Sequence, residues 1–185
     1  MDRQIKNTIL EASLNLFKRF GYKKTTIEEI AREAGIGKGS VYLHFNSKED
    51  ILLTLIKRHH QTMIEEWVRI VHTNCLLEKK ISNMLIFSIS EIQKKKEEIF
   101  LPNLPPSLLQ SVLKMSELTR EQRLDLLTSV LEQSVQKEGQ ILICKKVIAR
   151  VLLDSVNNIA FRLDIDKNFL WEEYLNDLLM LLLRR

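Results

Sequence analysis

Turn-making residues are scarce in this chain: 5 glycines and 3 prolines among 185 residues. So few breaks leave little room for a fold built on many tight turns. Together with abundant Leu, Ile, Glu and Lys they point to an all-α protein. Cysteine is scarcer still. Cys75 and Cys144 cannot make a disulfide framework, and both lie in apolar helical context as reduced core thiols. No apolar run reaches the roughly 18 residues of a membrane span. The first residues, MDRQIKNTIL, lack the apolar stretch of a signal peptide. A cytosolic protein with no membrane partner is expected. Signs of catalysis are also missing. There is no glycine-rich phosphate loop and no nucleophile signature. Glu65-Glu66 and Glu172-Glu173 are adjacent acids on helix surfaces rather than convergent pairs. His59, His60 and His72 have no carboxylate or cysteine at metal spacing to complete a ligand set. The chain reads as neither an enzyme nor a metalloprotein, and no cofactor is called for.

What is present is helical periodicity and a slightly basic front. Hydrophobic residues make up 45% and charged residues 28%, enough for a full core in one or two domains. The net charge is +4. Residues 1–47 hold 8 Lys/Arg against 5 Asp/Glu, so +3 of that excess lies in the first quarter.

The most informative stretch is TIEEIAREAGIGKGSVYLHF, residues 26–45. A short amphipathic run meets a turn bounded by Gly35 and Gly37, and a second short run follows at once. That is a helix-turn-helix pattern, whose second helix enters the major groove of DNA. Ahead of it, Ile5, Ile9, Ala12, Leu16 and Phe20 recur at three and four, giving a helix over 2–20 closed by Gly21. Thr26 and Glu29 fit a capping box, so the next helix starts at Ile27. The third helix spans about 38–45, with Val41 and Phe45 inward and Lys38, Ser40, Tyr42 and His44 outward. Its core is marginal and should need a fourth helix.

That fourth helix opens at Ser47 and carries apolar residues from Ile51 to Ile70, ending near His72. At 1.5 Å per residue it is roughly 35–40 Å long, so it should bridge two domains, 1–46 and 47–185. A helix over about 77–96 follows, then FLPNLPP, which holds all three prolines and reads as a kinked connector. Two helices, about 107–114 and 119–137, lead to Gly139. The last two, about 145–163 and 167–183, are apolar over more than one stripe. Such helices sit deep in a core or meet a second chain. Trp67, Met84, Phe87, Phe100, Leu104, Met115 and Phe161 are large, soft side chains that could line an apolar effector pocket, though each could equally be core.

Four stretches in order carry a resemblance: a first helix ending F-x-x-x-G-Y, then T-T-x-x-x-I-A, then A-G-x-x-K-G-S-x-Y-x-H-F, then x-S-K-E-x-I-L. Residues 9–52 resemble the N-terminal module of the TetR family of bacterial transcriptional regulators. The resemblance implies a homodimer that binds a palindromic DNA operator, usually as a repressor, and is released by a small-molecule effector. It implies DNA contacts from Thr25, Thr26, Lys38, Gly39, Ser40, Tyr42, His44 and Lys48. It also implies dimerisation through the last two helices, for which Val151, Ser155, Ile159, Leu175, Leu178 and Leu182 are the candidates. The recognition helix offers no Arg, Asn or Gln for bidentate base readout. Phosphate clamping and DNA shape should therefore carry much of the affinity. The alternative is a constitutive helix-turn-helix dimer without an effector, which a filled interior around Trp67 and Phe87 would favour.

Overall fold

A computed structural model describes residues 2–98, 104–133, 145–166 and 168–183. Cys144, Gly139, Pro102, Phe100 and the side chain of Phe161 lie outside the described residues. Among those described there are eight helices and no strand. They are α1 (Asp2–Phe20), α2 (Ile27–Glu33), α3 (Lys38–His44), α4 (Lys48–Val71), α5 (Leu77–Glu98), α6 (Pro106–Glu132), α7 (Lys145–Ile165) and α8 (Trp171–Leu183).

Helix boundaries follow from local chemistry. Gly21, at φ +80°, ends α1, and its N–H reaches the Phe17 carbonyl at 3.0 Å. Thr26 caps α2 with the full reciprocal box: the Glu29 N–H donates to its hydroxyl, and the Glu29 carboxylate accepts the Thr26 N–H at 2.8 Å. At the start of α4 the Ser47 hydroxyl accepts the Asp50 N–H at 3.1 Å. The eighth helix begins later than the sequence suggests. Asn168 donates its N–H to the Asp166 side chain, a local turn that competes with helix.

One expectation fails outright. Residues 107–137 were read as two helices, whereas α6 is continuous from Pro106 to Glu132. Ser116 and Thr119 have the chemistry of caps, but no glycine or proline stands between them to stop the helix. Nor does proline only interrupt here: Pro106 is the first residue of α6, where its missing N–H costs nothing.

The chain divides into two compact units, each drawn from two stretches of the sequence. The first holds Met1–Gln61 and Lys95–Glu117, the second Thr62–Lys94 and Leu118–Arg185. Helices α4, α5 and α6 each have residues in both units. The first unit is built on Ile9, Leu16, Phe17, Ile30, Val41 and Phe45 from α1 to α3 and the residue after it. Ile51, Leu52, Leu55 and Ile56 of α4 complete it, as do Leu108 and Val112 of α6. Each such buried side chain contributes roughly 1.5–3 kcal/mol, so three short helices borrow much of their stability from two long ones. The second unit packs Trp67, Met84, Leu85, Leu124, Leu127, Leu152, Ile159 and Leu175 into a separate core.

Candidate nucleic-acid interface

The turn between α2 and α3 is set by hydrogen bonds that only a particular backbone allows. Ile36 donates to the Ala31 carbonyl at 3.0 Å and Gly35 to that of Arg32 at 3.1 Å. Gly35 sits at φ +67°, where a side chain would be strained. Ile36 then tucks against the first core, and Gly37 begins α3 without a side-chain cap. Val41 and Phe45 anchor α3 from beneath, fully buried. Their positions leave Lys38, Gly39, Tyr42 and Leu43 exposed on the other side.

The expected contact residues do not share one fate. Tyr42 is half exposed, at 49%. A methyl group added at Gly39 would meet nothing within 4 Å, so no neighbour in the fold demands a glycine there. Ser40 is half-buried, and its N–H is spent on the Gly37 carbonyl. Lys38 forms an ion pair with Glu28 of α2. That bond lowers the Glu28 carboxyl below its ordinary value and raises the Lys38 ammonium above its own.

Four residues are more occupied than a surface role suggests. Thr25 is buried, and its hydroxyl donates to the Gly21 carbonyl at 2.9 Å. Its side chain is a structural tie across the α1–α2 link. Lys48 reaches back over the same link. Its ammonium donates to the Tyr22 and Thr25 carbonyls at 2.9 and 2.7 Å and lies 4.4 Å from the centre of the Tyr22 ring. Partial burial pulls its pKa below the usual lysine value. Thr26 is exposed, but its hydroxyl serves the capping box. His44 was expected outside, yet its side chain is only 10% exposed, with Nδ1 3.1 Å from a carboxylate oxygen of Asp2.

Two residues escaped the reading of the sequence. Glu28 is one, because its partnership with Lys38 exists only once the turn folds α2 against α3. Leu43 is the other: it stands 83% exposed beside Tyr42. Its signal was present, since an apolar residue between outward Tyr42 and His44 cannot share the face of Val41 and Phe45.

The family model for "Bacterial regulatory proteins, tetR family" matches residues 9–55, which takes in α1, the turn, α3 and the start of α4. The match is confined to about a quarter of the chain, and it is this N-terminal module that is similar to the family. A Bacillus subtilis relative, the uncharacterized HTH-type transcriptional regulator YerO, is 53% identical over 49 residues, 26% of this chain and 17% of that one. The chain spans only 17% to 38% of the length of the first curated relatives it matches. Solved structures extend the likeness to the whole fold. The transcriptional regulator FadR from Bacillus subtilis, in complex with stearoyl-CoA, superposes with a TM-score of 0.66 at 21% identity, covering 96% of this chain and 97% of that one. The SmeT–triclosan complex gives 0.72 at 21% identity, over 95% and 90%. The likeness of fold thus extends through the second unit.

The second unit places the remaining candidates. Trp67 and Met84 are fully buried in its core, and Phe87 packs against them. Leu104 and Met115 instead pack on the core of the first unit, so the sequence-read set does not gather in one place. Ile159 and Leu175 are buried in the chain's own interior, and Ser155 donates to the Leu152 carbonyl at 2.7 Å. All three side chains are spent within the chain's own core. Val151 is exposed at 41%, while Leu178 and Leu182 lie half-buried at the core's margin. Among the described residues no helix is long and apolar enough to cross a membrane, and no group of three His, Cys, Asp or Glu could hold a metal.

Proposed function

We propose that this chain is a homodimeric, DNA-binding transcriptional regulator, a repressor that leaves a palindromic operator when a small apolar or amphipathic effector binds. The observation that carries the reading is the outer surface of α3. Gly39 gives up helix stability at a site where the fold has room for a side chain. That choice makes sense if another molecule's backbone must come close. Beside it Tyr42 and Leu43 are held outward by the buried Val41 and Phe45. Tyr42 suits a phosphate, and Leu43 suits the methyl group of thymine, an apolar mark in the major groove. Lys38 joins phosphate by exchanging its Glu28 partner. Lys48 acts at one remove, by holding the α1–α2 link in place under the reading helix.

The effector half of the proposal is supported by the two ligand-bound relatives of the same fold, one holding stearoyl-CoA and the other triclosan. Here α4 and α6, which are common to both units, would carry the response. Couplings of about 1–3 kcal/mol are typical of such switches.

The test begins with duplexes selected from a random pool by the purified protein. Gly39→Ala should stabilise the protein by about 0.5 kcal/mol in urea unfolding and still weaken DNA binding at least tenfold. Tyr42→Ala should weaken binding to a similar degree with the fold unchanged. Binding should fall steeply with salt, since several phosphates are neutralised. Undiminished affinity in both variants would remove α3 from the interface and end the proposal.

A further inference from the structure

Arg123, on α6 in the second unit, is a cation with no counter-ion among the described residues. Its Nε is buried and has no hydrogen-bond partner. The guanidinium lies 5.8 Å from the centre of the Trp67 ring. That indole is itself fully buried and satisfied, its N–H donating to the Ser88 hydroxyl at 3.2 Å. The charged group acting on Arg123 is another cation, Arg120, and burial together with that neighbour lowers the pKa of the guanidinium below its ordinary value. Arg120 has its own carboxylate, Asp154 at 2.8 Å, and so does not lend one. Sequence neighbours Leu124 and Leu127 are core residues, as are Trp67 and Met84.

A buried charge left unpaired is expensive, and folded proteins either pair it or neutralise it. Arginine cannot take the second course, because it stays protonated at any accessible pH. The stacking on Trp67 offsets little, since 5.8 Å is close to the limit of a useful cation–π contact. The guanidinium therefore stands ready for an anion that no described residue supplies. We propose that Arg123 is the seat of an anionic group, carboxylate or phosphate, on an effector whose remainder is apolar. The apolar remainder follows from the surroundings: the guanidinium lies 5.8 Å from the Trp67 ring, at the edge of a core cluster of apolar side chains. This rests on the effector reading of the second unit and narrows it from any hydrophobic ligand to an amphipathic anion. The planar fork of arginine fits either oxyanion in a bidentate manner.

Three ten-carbon probes separate the cases: decanoate, decyl phosphate and 1-decanol. Binding is followed by Trp67 fluorescence in a Trp171→Phe background, alongside thermal melting. Wild type should bind at least one of the two anions more than tenfold tighter than the alcohol, and which anion wins distinguishes carboxylate from phosphate. Arg123→Met should erase that preference while leaving 1-decanol binding intact. Arg123→Lys, which keeps charge but not the fork, should retain part of it. Without ligand, Arg123→Met should melt about 2–4 °C higher, because an uncompensated charge is gone. An anion preference that survives in Arg123→Met, or no preference in wild type while all three probes bind, overturns the assignment. If none of the probes binds or shifts the melting of wild type, the amphiphilic-effector reading falls, and the seat with it.

Discussion

Tyr22 shows how one side chain in the reading head is held by cost as much as by contact. Its ring stacks on Phe17 at 5.4 Å and carries the Lys48 ammonium on a face. Its hydroxyl is buried and, among the described residues, meets no acceptor at good hydrogen-bonding geometry, although the Glu49 carboxylate is near enough to act on it. Burial, reinforced by the nearby Glu49 carboxylate, pushes the phenol pKa well above its ordinary 10.0. A folded pKa above the unfolded one means that folding favours the protonated form. The stability tied to that proton is intact below about pH 10 and is lost as pH rises beyond it. Urea midpoints measured from about pH 8 to 11.5 should therefore fall more steeply in wild type than in Tyr22→Phe. At neutral pH the Phe variant should be as stable as wild type or slightly more so, because an unsatisfied hydroxyl is removed. Parallel curves for the two proteins would show that the phenol is solvated after all. At this scale the sequence was a partial guide. The spacing of Thr26 and Glu29 announced the capping box, and Val41 with Phe45 announced the buried side of α3. Lys48 was marked by its motif, but no pattern in the chain could tell that its ammonium would close on two carbonyls 23 and 26 residues upstream.

Among the elements, α6 is the instructive one. Periodicity located the amphipathic stretches of α1 and α4 to within a residue or two, since long apolar series leave little choice. In α6 the outward-facing segment around residues 113–118 is exposed on most sides, and its mixed polarity imitated a loop. Continuity was decided by what is lacking, a breaker, and by anchors at both ends: Leu108 and Val112 in the first core, Leu124 and Leu127 in the second. Substituting the exposed Ser116 by proline tests the element alone, since no packing is touched. In a continuous helix the change removes a hydrogen bond and clashes with the preceding turn, costing about 3 kcal/mol or more. In a loop it would cost almost nothing. Circular dichroism melting of Ser116→Pro should thus show a large loss, and Ser116→Ala none. If Ser116→Pro melts like wild type, the helix is broken there.

At the level of the whole molecule, the question is why so much apolar surface lies on the last two helices, when no described helix is long and apolar enough to cross a membrane. Val147 and Val151 are exposed on α7, four residues apart. On α8 Tyr174 and Leu181 are exposed seven apart, two turns of one face, with Met180 beside them. Scattered leucines on a surface need no account, but stripes at helical spacing do. The sequence had flagged these helices as too apolar for a monomer, yet it could not say which stripe was spent inside: Ile159 and Leu175 went to the core, and Val151 and Leu181 did not. On the proposed homodimer a second copy of the chain would cover these stripes, and two-fold pairing would present two α3 helices to the two halves of a palindrome. Leu181→Glu places a charge on the outermost of these positions, at 75% exposure, without disturbing the core. Sedimentation should then find a monomer with unchanged helix content, where wild type sediments as a dimer. Binding to a two-half-site duplex should fall at least a hundredfold, because linked half-sites gain their affinity from being engaged together. The variant should still bind a single half-site as weakly as one wild-type reading head does. A dimeric Leu181→Glu protein with full operator affinity would place the pairing surface elsewhere on the chain.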